Sequence, residues 1–105
     1  MSMNTEYRIR TQVKIKEPLQ KLLHKYYPDT KPQVYEVGKD LMGTIYYFST
    51  SWGYDEELEE EIVNLFQEKQ GFIWIDSESS DFIKVRLFNR NKLINEESFD
   101  RDFIF

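Results

Sequence analysis

Residues 7–16 read Tyr-Arg-Ile-Arg-Thr-Gln-Val-Lys-Ile-Lys. Tyr7, Ile9, Thr11, Val13 and Ile15 alternate with Arg8, Arg10, Gln12, Lys14 and Lys16. A side-chain period of two belongs to a β-strand with one face in a core and the other in water. The stretch therefore predicts a half-buried strand whose outer face carries four positive charges. Pro18 follows at once, and a proline is tolerated in the first turn of a helix because that N–H has no intrahelical partner. Leu19, Leu22, Leu23 and Tyr26 then recur at helical spacing on one face. Tyr27-Pro28 stops the helix, since the residue before proline avoids the α region. The chain thus opens as strand, then helix.

Working outward, residues 33–37 and 41–49 read as two strands joined at Gly38-Lys39-Asp40, a short glycine-containing hairpin loop. The second is apolar on both faces around Ile45, Tyr46, Tyr47 and Phe48, as a central strand or a strand with a binding surface would be. Residues 49–54 form a loop, and Asp55 is an N-cap for a second helix. Leu58, Ile62, Leu65 and Phe66 mark the buried face of that helix, and Gly71 stands where a left-handed C-terminal residue is wanted. Phe72–Ile75 and Phe82–Phe88 are strands, Asn89-Arg90-Asn91 is a turn, and residues 92–105 hold a last strand ending in Phe103-Ile104-Phe105. The order β-α-β-β-α-β plus extra C-terminal strands predicts a single α+β domain of ferredoxin-like arrangement, with a mainly antiparallel sheet carrying both helices on one face. The competing prediction is an α+β meander whose C-terminal strands form their own sheet.

Composition narrows the class. At 105 residues the chain is one domain, long enough to bury a core without staples. It has no alanine and no cysteine, so disulfides, thiolate chemistry and cysteine-ligated metals are excluded. Bulk comes from Ile, Leu, Val and a 16% aromatic share. The N-terminus alternates charge with apolar residues and has no hydrophobic signal core. The longest apolar runs, Ile45–Phe48 and Phe72–Ile75, fall far short of the roughly 20 residues that span a bilayer. A cytoplasmic protein without membrane attachment is expected.

The formal charge of −5 is unevenly spread. Residues 1–48 carry eight Lys/Arg against five Asp/Glu, and residues 49–105 carry six against fourteen. Net negative charge opposes general affinity for nucleic acid and favours basic partners. No catalytic motif is present: His24 is the sole histidine, there is no serine-nucleophile elbow, and the four glycines make no phosphate loop. No cofactor and no metal site is expected, because carboxylates along a regular helix cannot converge on one ion.

Two surfaces remain as candidates for binding. The first is the run Asp55-Glu56-Glu57-Leu58-Glu59-Glu60-Glu61 with Trp52 and Tyr54 before it. Acids in a first helical turn are favoured by the macrodipole, but Glu56/Glu60 and Glu57/Glu61 repel at i,i+4 by about 0.2–0.5 kcal/mol each. Charge beyond what the dipole rewards, beside two aromatics, reads as an interface. The candidate partner-binding residues are Trp52, Tyr54, Asp55, Glu56, Glu57, Glu60 and Glu61. A non-enzymatic protein that docks on a basic partner follows, such as an inhibitor of a nucleic-acid-handling enzyme; small acidic immunity and anti-defence proteins are analogous in size and charge. The second surface is the basic strand face, Arg8, Arg10, Lys14 and Lys16, with Tyr46 and Phe48 or Tyr47 as stacking aromatics. It predicts a single-stranded nucleic-acid-binding module. The glycine-aromatic signature of RNA-recognition domains is not matched here. Oligomeric state is left open, with the C-terminal strand as an edge through which copies could pair.

Overall fold

A computed structural model describes residues 4–51, 55–77 and 82–100. The alternating N-terminal stretch forms a strand, β1 (Thr5–Thr11), shorter than its periodicity predicts. The Thr11 hydroxyl accepts the Val13 N–H at 3.3 Å, a local side-chain bond that competes with the ladder. The chain bends at Gln12 and Val13. Ile15 is still buried, but as the residue that precedes helix α1 (Lys16–Tyr26). Pro18 lies in its first turn, and Leu19 and Leu23 are buried while Leu22 and Tyr26 pack partly against the core.

The hairpin that follows is β2 (Tyr35–Asp40) and β3 (Gly43–Thr50). Its turn is not Gly38-Lys39-Asp40, as expected, but Leu41-Met42, two positions later. Gly38 lies within β2 beside a bulge. The decisive glycine is Gly43, at φ +125°, where a Cβ would also collide with the carbonyl of Thr11. The Asp40 side chain accepts the Met42 N–H at 2.8 Å and closes the turn.

Helix α2 (Glu56–Asn64) starts on the expected cap: Asp55 Oδ1 accepts the N–H groups of Glu57 and Leu58 at 3.0 and 3.2 Å. Its end differs from expectation. The left-handed residues after it are Gln67 and Glu68, at φ 53° and 64°. Gly71 instead opens β4 (Gly71–Ser77), and it is small because the Phe66 ring lies against it. Strands β5 (Phe82–Asn89) and β6 (Lys92–Asp100) close over Arg90-Asn91, both at positive φ as a two-residue type I′ hairpin turn requires. The expected apolar end, residues 103–105, lies outside the described residues.

All six strands form one sheet in the order β2-β3-β1-β4-β5-β6, every neighbouring pair antiparallel. The C-terminal strands therefore extend the sheet beside β4 and do not build a second one. The two faces differ sharply. Tyr7 and Ile9 of β1, Tyr46 and Phe48 of β3, and Ile73 and Ile75 of β4 are buried with Leu19, Leu23, Leu58, Ile62 and Phe66 of the helical segments in one core. Tyr7 and Phe48 stack at 4.6 Å between ring centroids. Each such side chain contributes roughly 1.5–3 kcal/mol on burial. Among the described residues no helix is long and apolar enough to cross a membrane.

Candidate functional site

Residues opposite one another in an antiparallel ladder point to the same side, so the register defines what the helix-free face presents. Across it runs a row of Tyr35, Tyr47, Arg8, Trp74, Val85 and Glu97, from β2 to β6. Beside that row lie Ile45, Arg10, Phe72, Leu87 and Asn95, and on its other side Ser49, Glu6, Asp76, Ile83 and Phe99. Strand β1 thus carries Glu6, Arg8 and Arg10 in line on this face.

At its centre is a concavity of about 280 Å³ lined by Arg8, Arg10, Ile45, Phe72, Trp74 and Val85. A smaller hollow of about 110 Å³ continues past Arg10 and Phe72 towards Gln12, Met42, Lys69 and Gln70. The Arg8 guanidinium lies over the Tyr47 ring, 5.3 Å from its centroid. The Tyr47 hydroxyl donates to Glu6 Oε1 at 2.9 Å. Burial and then this carboxylate contact push the Tyr47 phenol above its ordinary value. Arg10 reaches Asp40 at 3.4 Å, but its Nε is enclosed with no hydrogen-bond partner among the described residues. Trp74 stacks on Phe99 at 6.3 Å. Ile83 is buried yet stands apart from the helix-side core.

The sequence-derived nucleic-acid residues divide between several places. Arg8 and Arg10 are on the uncovered face. Lys14 and Lys16 are not, because β1 ends at Thr11 and leaves them in the connection and at the first position of α1. Tyr46 and Phe48 are a correction: both are in the helix-side core, 1% and 0% exposed, and offer no ring to a base. The Tyr46 hydroxyl accepts the Ile15 N–H and donates to the Val13 carbonyl. Of the three aromatics considered, only Tyr47 faces outward. Sequence reasoning names Ile45 only within a strand that is apolar on both faces, and it does not single out Phe72, Trp74 or Val85 as site residues. The signal was there, since Phe72 and Trp74 alternate with Ile73 and Ile75, and period two sends the rings to one face and the isoleucines to the other.

The acidic run of α2 divides as well. Glu59 is 6% exposed and accepts Arg86 Nη1 with both oxygens at 2.7 and 2.8 Å; Arg86 Nε reaches Glu96 at 2.6 Å. Glu61 pairs with Lys25 at 3.6 Å and faces Tyr26, whose hydroxyl is pushed up to about 12, first by its hydrogen bond to Glu61 and then by burial. Asp55 is consumed as the cap. Glu56, Glu57 and Glu60 are exposed and form no ion pair among the described residues. Trp52 and Tyr54 lie outside the described residues. His24 pairs with Gln20 at 2.7 Å, and Gln20 also holds the 32–34 segment through Pro32 and Val34; this arrangement orders a loop.

No family model matches the chain, and comparison with curated proteins and with solved structures returns no match either.

Proposed function

We propose that this chain is a non-enzymatic protein-binding domain on an extended ferredoxin-like scaffold. The scaffold reading is supported by the element order and by the strand order β2-β3-β1-β4, with β5 and β6 added beside β4. One observation carries the binding reading: among the described residues one sheet face is without helices, and its centre combines Trp74, Phe72, Arg8 and Arg10 around a concavity, with Tyr47 beside Arg8. Contiguous apolar surface of this kind marks interaction sites. Trp, Tyr and Arg are also the residues that dominate binding energy at protein interfaces. The same face carries Glu6, Asp76 and Glu97, which oppose a polyanion more than a protein.

A second surface is supported by a separate observation. Glu56, Glu57 and Glu60 stand in solvent on the first turns of α2 and suit a basic partner, as an inhibitor of a nucleic-acid-handling enzyme would. The two surfaces are on opposite sides of the sheet, so variants separate them. Affinity capture from host lysate is to be run with the wild type, with Arg8→Ser/Trp74→Ser, and with Glu56→Lys/Glu57→Lys/Glu60→Lys. A protein retained by the wild type and by the glutamate variant, but lost with Arg8→Ser/Trp74→Ser, supports the sheet face. Loss in the glutamate variant alone transfers the function to α2.

A further inference from the structure

We infer that the occupant of the uncovered sheet face is a second copy of this chain, packed face to face about a two-fold axis. This rests on the sheet-face reading above and names its partner.

A symmetric dimer requires a patch that complements itself, with residue i meeting residue j and j meeting i. The face has that property along β1. Glu6 and Arg10 lie two residues to either side of Arg8, about 7 Å away in each direction along an extended strand. An axis in the interface, perpendicular to β1 and crossing at Arg8, reverses the strand and sets Arg10 over Glu6 of the partner subunit. The contact then occurs twice. Of the two like-charge meetings in the axial row, Arg8 is drawn sideways over its own Tyr47, and Glu97 meets its copy at the exposed margin of the sheet. The same operation sets Trp74 against the partner subunit's Trp74.

Charge elsewhere argues for this occupant over others. The chain is −5 overall, yet this face holds Arg8 and Arg10 against Glu6, Asp76 and Glu97 and is close to neutral. A polyanion is repelled by the rest of the molecule, and a strongly basic protein meets two arginines at the centre. Size is adequate too. Six strands about 4.8 Å apart and about 24 Å long present about 700 Å², close to the roughly 800 Å² per partner of a standard interface. Two twisted sheets pack in this manner at about 30° and 10 Å.

Sedimentation equilibrium of the full chain across the micromolar range tests the inference, with circular dichroism confirming that each variant is folded. The wild type is expected to be a dimer. Arg10→Glu and Glu6→Arg should each weaken it by about 100-fold, two contacts at about tenfold each, and the double variant should recover to within about fivefold of wild type. Trp74→Ser should give monomer. A wild-type monomer at every concentration overturns the second copy while leaving the sheet-face reading to the capture experiment. A dimer that survives Trp74→Ser and both charge reversals overturns the face as the contact altogether and moves it to an edge strand. Two damaging single reversals without recovery in the double variant overturn the two-fold arrangement. Retardation of a single-stranded oligonucleotide by the wild type, lost in Arg8→Ser/Arg10→Ser, overturns it in favour of nucleic acid.

Discussion

The face of the sheet that the helices cover and the face that no helix covers among the described residues are built from the same strands, residue by residue, yet they differ in what they present. On the helix side, β1, β3 and β4 present Tyr7, Ile9, Tyr46, Phe48, Ile73 and Ile75, all buried beneath α1 and α2. One residue along in each strand, the other side presents Arg8, Arg10, Ile45, Tyr47, Phe72 and Trp74, none of them fully buried. Aromatic and apolar content alone does not separate the two. What separates them is the pair of guanidiniums, which cannot enter a core without partners. A core tolerates Tyr46 because its hydroxyl is satisfied twice by the backbone. The outer face keeps Arg10 with Asp40 and with one nitrogen that has no hydrogen-bond partner among the described residues. An apolar surface interrupted by cations is the surface on which the proposed partner would dock.

The largest test of this contrast is the removal of a ring from the covered face. Phe48→Ala should cost about 3–5 kcal/mol, because Phe48 is fully buried against Tyr7; chemical denaturation should show most of the domain's stability gone. Arg86→Ala comes next. It removes the guanidinium that both oxygens of the buried Glu59 accept, for an expected loss of about 3 kcal/mol, in the range for breaking a buried ion pair. Urea melts at neutral pH measure it, and Glu59→Gln in the same background should return part of the loss. Trp74→Ser, on the uncovered face, should cost about 1 kcal/mol or less beyond its stack on Phe99. A loss as large as that of Phe48→Ala would erase the distinction between the faces.

The smallest effect is alkaline. Tyr7, Tyr26, Tyr27 and Tyr47 are all raised above the ordinary phenol value in the folded chain, Tyr7 and Tyr27 chiefly by burial and Tyr26 chiefly by Glu61. The folded state therefore holds protons that the unfolded chain has released above about pH 10. The stability these groups supply is complete below that pH and is lost as pH rises towards 12. Thermal melts over this window should show a falling transition temperature, and phenolate absorbance should rise with unfolding. Tyr26→Phe should flatten the part of the slope due to Glu61.

How much of this was legible beforehand depended on how local the determining interaction is. The β-α-β-β-α-β order, the Asp55 cap and the Asn89–Asn91 turn were readable because periodicity, a capping carboxylate and turn residues act over a few positions. The hairpin register between β2 and β3 was not, since a two-residue displacement depends on Gly43 packing against Thr11, a residue 32 positions away. Gly71 makes room for the Phe66 ring and does not cap the helix, and this fold-back of a ring five residues earlier is a packing contact that no capping pattern encodes.

The acidic helix shows the same limit at the site. Seven consecutive residues rich in carboxylates form a uniform run in sequence, but the fold gives them unlike roles: a cap at Asp55, an internal ion pair at Glu59, a tyrosine contact at Glu61, and solvent at Glu56, Glu57 and Glu60. Alternation alone determined that these strands have two unlike faces. On β1 the arginines also decided which face stays out of the core; on β3 and β4, apolar on both sides, only the tertiary structure decided which face the helices cover, through the long-range packing of Leu19, Leu23, Leu58, Ile62 and Phe66.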